Sequence, residues 1–312
     1  MLSHFDRWIG VRTPLSHAGF ATLFAERRLS PVGGDFFGRW AARHGVTLRA
    51  GNDEGLVPDF ERLAWDRFDP RRVDPVVREF YERTSRFSVT ITSVDWNGAW
   101  HIAGRAFRWA WADRAGNLRP PLDVGAGRRE VQSTVSLLDV GRDGLPPYRI
   151  WRRAFETDGE LLYVASVHTF LAAHTGGDQA YLTLTFPWPF FALTVVLACA
   201  NGPNHGDLEM STRAAGAPLA GTYAVVPGQR GRASFVRLPG LHEHFRFGAS
   251  SGRGAAVIEG THSAYVGAAR VFTLKYEIAR DSRTASAAGA ASTPASGTTG
   301  PIGGLPSAAP GP

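Results

Sequence analysis

The sequence contains one cysteine, Cys199, and one lysine, Lys275, and between Asp178 and Asp207 it carries no carboxylate, lysine or arginine. A lone cysteine excludes a disulfide framework and a cysteine zinc site. Set in an apolar run, Cys199 reads as a small buried hydrophobe. The shortage of lysine also qualifies the net charge of +6 and the pI near 10.0. The basic residues are almost all arginine, as GC-rich codon usage produces, and they are scattered among Asp and Glu. A nucleic-acid surface needs a clustered patch or stripe, and the nearest approaches are Arg71-Arg72 and Arg128-Arg129, so no nucleic-acid partner is expected. There is no glycine-flanked serine elbow, and the glycine-rich stretch 248–254 leads into no helix, so neither a serine hydrolase nor a phosphate loop is indicated. No carboxylate pair has a catalytic spacing, and no cofactor is implied. The first residues lack a basic segment followed by an unbroken apolar core, which makes the cytoplasm the expected location.

What is present is a run of strand-like segments. In 148–155 (YRIWRRAF) period-two alternation puts Tyr148, Ile150, Arg152 and Ala154 on one face and Arg149, Trp151, Arg153 and Phe155 on the other. Asp158-Gly159 marks a hairpin, 161–173 reads as a strand buried on both faces, and 180–186 sets Leu182, Leu184 and Phe186 against Tyr181, Thr183 and Thr185. Pro187-Trp188-Pro189 interrupts the ladder before 190–200 resumes it. Residues 181–200 are about as long as the ~20 residues that span a bilayer. Two prolines, alternating threonines and the absence of flanking arginines argue against a spanning helix. Further strands are expected at 87–96, 131–140, 208–213, 221–226, 233–238, 241–248, 255–262 and 270–278.

Helices are expected at the N-terminal side, over 17–29 and again after Asp35 with Phe36, Phe37 and Trp40 inward and Gly45 ending it. The firmest starts at Asp74-Pro75, with Val76, Val77, Phe80 and Tyr81 as its packing face and Glu79 and Arg83 as an i,i+4 pair. Residues 97–122 are aromatic and basic, either a helix or a covering loop. From 281 onward Ser, Ala, Gly, Thr and Pro dominate, a composition unable to bury enough apolar area to offset ordering entropy. The chain therefore divides into a helical and loop extension at 1–72, a β-rich domain at 73–280 opened by a helix, and a disordered tail at 281–312. The fold expected is mainly β (α+β): an antiparallel β-barrel or strongly curved sheet of about nine to eleven strands, with the N-terminal helices packed on it.

Through VVREFYERT at 76–84, GLVPDF at 55–60 and WRRAF at 151–155, the sequence resembles an actinobacterial family of uncharacterised proteins, across roughly 55–278. That resemblance implies one folded unit and brings no activity, cofactor or catalytic residue.

Candidate site residues follow from strand faces. Trp151 and Arg153 project together, the arginine suited to an acidic ligand and the indole to a pocket wall. Arg153 has Glu130, Glu156 and Asp139 as alternative partners on neighbouring strands. His168 sits in the most apolar strand, as a core residue or a third pocket residue. His242 and His244 share a face, a spacing that lets two imidazoles reach one metal, with His262, His168 or Glu259 as a third ligand. The opposite reading sends both to solvent and Phe245 and Phe247 to the core. The leading function is a soluble β-barrel module holding a small, largely apolar molecule. The alternatives are an enzyme using His242, His244 and His262 as metal ligands or as acid and base, and a structural or partner-binding protein.

Overall fold

A computed structural model describes residues 32–112, 118–123, 128–140, 147–174, 177–227, 233–250 and 257–281. The helix expected at 17–29 and the tail beyond 281 lie outside these residues. Among the described residues thirteen strands form one antiparallel sheet. They are β1 (Thr47–Ala50), β2 (Phe87–Trp96), β3 (Arg129–Asp139), β4 (Tyr148–Phe155), β5 (Leu161–His174), β6 (Gly177–Pro187) and β7 (Ala192–Asn201). β8 (Leu208–Ser211), β9 (Gly221–Pro227), β10 (Ala233–Arg237), β11 (Leu241–Ser250), β12 (Val257–Val266) and β13 (Ala269–Arg280) complete it.

Ten of the strands close into a barrel, in the order β7-β6-β5-β4-β3-β2-β13-β12-β11-β8 and back to β7. Closure depends on a fork in β7. Residues 192–196 pair with β9 while 198–201 pair with β8, so one strand carries both the barrel seam and the β9–β10 flap. Full closure removes the exposed edges that an open sheet this large would present. Residues 181–200 form most of the β6–β7 pair, and among the described residues no helix is long and apolar enough to cross a membrane.

The barrel's faces follow the period-two patterns. Phe87, Val89 and Ile91 of β2, Leu182, Leu184 and Phe186 of β6, and Leu274, Tyr276 and Ile278 of β13 are inside and buried. Among the described residues three α-helices accompany the sheet. The first, α1 (Phe36–His44), ends at Gly45 in the left-handed region and lays Phe36, Phe37, Trp40 and Ala41 on the outer face of β3, β4 and β5, against Leu138, Tyr148, Ile150 and Val164.

The second, α2 (Pro75–Glu82), begins where Asp74 accepts a hydrogen bond from the Val76 amide at 2.9 Å. It carries Val76, Val77, Phe80 and Tyr81 into the main core, where the Tyr81 and Phe247 rings meet edge to face at 5.8 Å. The expected Glu79–Arg83 pair does not form: Arg83 leaves the helix at φ −141°, and Glu79 instead pairs with Arg280 of β13. The preceding segment is tied to α2 by Val57 N–H to Tyr81 O and by Phe60 N–H to Glu82 Oε1 at 2.8 Å. Gly55 lies so close that a Cβ there would stand 2.2 Å from the Tyr81 carbonyl oxygen, which excludes a side chain.

The third helix, α3 (Trp100–Phe107), continues as a wider turn over Arg108–Ala112, which settles the ambiguity of that segment. Because α2 leads into β2 and α3 follows it, the two helices stand at opposite ends of that strand.

Candidate functional site: a cavity inside the barrel

Inside the barrel, between α2 and α3, lies a cavity of about 450 Å³. Apart from Arg153, Glu243 and His262, every described residue lining it is aliphatic, aromatic, methionine, proline or glycine. Phe80 and Tyr81 of α2 contribute at one end, and Trp100, Ala103, Gly104 and Phe107 of α3 at the other. α3 is seated by a close approach. A Cβ on Gly104 would lie 2.4 Å from the Trp96 ring, and the Trp96 Nε1 donates to Pro121 O at 3.2 Å.

Arg153 is 6% exposed and points inward from β4 beside Trp151. Strand register sets its neighbours, Ser133 of β3 on one side and Tyr163 of β5 on the other. Its Nε donates to Ser133 Oγ at 3.1 Å, not to Glu130, Glu156 or Asp139. The guanidinium carbon lies 4.2 Å from the Trp151 ring centre, 5.8 Å from that of Tyr163 and 5.7 Å from that of Tyr276. This is an aromatic cage around a cation, which the ring quadrupoles favour. Among the described residues Arg153 has no ion pair. Burial pushes the Tyr163 and Tyr276 phenols well above their usual range, and the neighbouring Arg153 charge only partly opposes this. Both hydroxyls therefore stay protonated at neutral pH. Trp151 Nε1, in the same wall, is buried without an acceptor.

The second polar feature is a pair. Phe245 and His262 are register partners, so the imidazole stacks on the Phe245 ring at 4.0 Å and 11°, with Phe272 edge-on at 5.5 Å. His262 Nε2 lies 3.0 Å from Oε2 of Glu243, the one carboxylate lining the cavity among the described residues.

The structure thus brings Trp151, Arg153 and His262 to one cavity and leaves the other expected site residues outside it. His168 is an odd five residues from Tyr163, so it falls on the opposite face of β5, with its ring 5.1 Å from Tyr148 near α1. His242 and His244 sit on the outer face of β11, since Glu243, Phe245 and Phe247 take the inner one, and His244 faces Glu209 at 3.7 Å. The three-histidine metal arrangement therefore does not assemble: two rings lie outside the wall and one inside. Among the described residues no group of three or more His, Cys, Asp or Glu is placed to hold a metal ion. Sequence reasoning passed over Glu243, Tyr163 and Tyr276. Glu243 did carry a signal, being a carboxylate on the core-facing alternation of β11. Cys199 is buried as expected, its thiol pushed by burial up to about 12.

The chain is similar to an uncharacterised membrane protein of Bacillus subtilis, YndJ, at 21% identity over 178 residues. The similarity covers 57% of this chain and 30% of that protein, so the chain spans less than a third of the relative's length. No family model matches the sequence, and no solved structure matches it.

Proposed function

We propose that the barrel is a binding module that encloses one small, largely apolar molecule. The observation that carries this reading is the cavity: about 450 Å³, walled by aliphatic and aromatic side chains and interrupted, among the described residues, only by Arg153, Glu243, His262 and three tyrosine hydroxyls. Ligand pockets run from roughly 300 to 1,000 Å³ with this same balance of apolar wall and few polar groups. A barrel of this size built only for stability would fill its interior, because an unfilled core forfeits dispersion contacts.

The test is binding of N-phenyl-1-naphthylamine, a neutral apolar dye that brightens on leaving water. One equivalent is expected to bind with saturable fluorescence. Ala264→Phe, which places a ring into the cavity, is expected to weaken dye binding about 10-fold while leaving the thermal midpoint nearly unchanged, since overpacking costs only ~1–3 kcal/mol even where no space exists. Unaltered dye affinity in Ala264→Phe would place the dye elsewhere and remove the support.

A further inference from the structure

From the surroundings of Arg153 we infer that the occupant is an amphiphile with a single negative charge, a monocarboxylate whose headgroup docks on the Arg153 guanidinium while its apolar body fills the cavity. This inference rests on the binding reading above and adds the chemical class of the ligand.

An arginine cannot shed its charge in a protein, so burying one without a counter-charge is costly. Arg153 is 6% exposed; its Nε donates to Ser133 Oγ at 3.1 Å and its guanidinium also hydrogen-bonds the Tyr163 hydroxyl, both neutral partners. The carboxylate best placed to neutralise it, Glu243, is turned to His262 at 3.0 Å. The site is therefore a fixed cation held by Ser133, the Tyr163 hydroxyl and an aromatic cage, with no carboxylate paired to it among the described residues and donors to spare for an entering anion. A guanidinium presents its donors in a planar fork that matches a carboxylate with two parallel hydrogen bonds. The protonated hydroxyls of Tyr163 and Tyr276 stand beside the same guanidinium.

Charge count selects a monoanion. One arginine offers one positive charge, and Glu243 already contributes negative charge to the lining, so a dianionic phosphate would bring two charges against a single cation in a poorly hydrated space. Neutral amphiphiles fit the walls equally well but leave the guanidinium uncompensated.

The experiment is displacement of the bound neutral dye from the full chain by dodecanoate, dodecanol and dodecyl phosphate. Dodecanoate is expected to displace the dye about 10- to 100-fold more effectively than dodecanol, the range of hydrogen bonds to a charged partner. Arg153→Gln is expected to close that gap while still binding the dye, and Arg153→Lys to keep part of it. If the dye binds but dodecanoate and dodecanol are equivalent in the unaltered protein, the headgroup inference falls and the apolar-cavity reading stands. A preference that persists in a folded Arg153→Gln, or dodecyl phosphate at pH 8 matching dodecanoate, also overturns it. Failure of dye and all three amphiphiles to bind overturns both readings. The comparison in the unaltered protein decides the matter even if Arg153→Gln does not fold.

Discussion

At the scale of single residues, strand alternation places side chains on faces, and it does so well here. The inward pair Trp151 and Arg153 and the outward pair His242 and His244 both follow from counting along β4 and β11. What counting cannot give is which strand lies alongside. The cage around Arg153 exists because β4 is flanked in register by Ser133 and Tyr163, and the His262–Glu243 pair exists because β11 and β12 are neighbours. His242 shows the consequence of its own position. Burial, assisted by the Arg213 guanidinium, holds its imidazole below the usual histidine range, and a backbone contact at Pro239 only partly opposes this. As pH falls below about 6.5, the ordinary value, the unfolded chain takes up this proton first, so stability is lost as pH drops toward the depressed native value. The thermal midpoint should therefore fall between pH 7.5 and pH 5.5, and His242→Gln should fall less over the same interval. An equal or larger fall in the variant would contradict the assignment.

At the scale of elements, the helix that was most legible carries its own boundaries. The N-cap and the helical proline of α2 are local signals, and they place its start correctly at Asp74-Pro75. By contrast, α3 has no side-chain cap at its start and no acidic residue in its first turn, so its sequence carried no boundary signal to separate helix from covering loop. Its placement depends on a distant partner, the Trp96 ring against which Gly104 rests. That contact leads to a prediction about access. In Gly104→Ala the new methyl would meet the indole at 2.4 Å, well inside van der Waals contact, so the Trp96 ring or α3 must shift and loosen this end of the barrel. The replacement raises intrinsic helix propensity by roughly 1 kcal/mol, which keeps α3 helical. Dye association and dissociation should both accelerate, by about 3-fold or more in stopped-flow fluorescence if crossing this end limits exchange. Unchanged rates would show that ligands enter elsewhere.

At the scale of the whole molecule, the sequence supports a β-barrel of about this strand number but not its closure, which has two seams. One is the fork of β7, invisible in a strand whose residues are uniformly apolar from Val195 to Ala200. The other joins β2 to β13, bringing together Phe87 and Arg280 from opposite ends of the β-rich region. Such long-range pairing contributes only after a large loop-closure cost has been met, so no local segment reveals it. It also makes the last strand indispensable. β13 supplies the buried side chains Leu274, Tyr276 and Ile278 and covers the edges of both β2 and β12. A chain ending at residue 268 loses all three side chains, each worth roughly 1.5–3 kcal/mol of burial, which together rival the ~5–15 kcal/mol by which a domain is stable. Thermal unfolding followed by near-ultraviolet circular dichroism should show a cooperative transition for the full chain and none for the truncated one. A sharp transition in the truncated chain would mean that the remaining barrel strands close without β13.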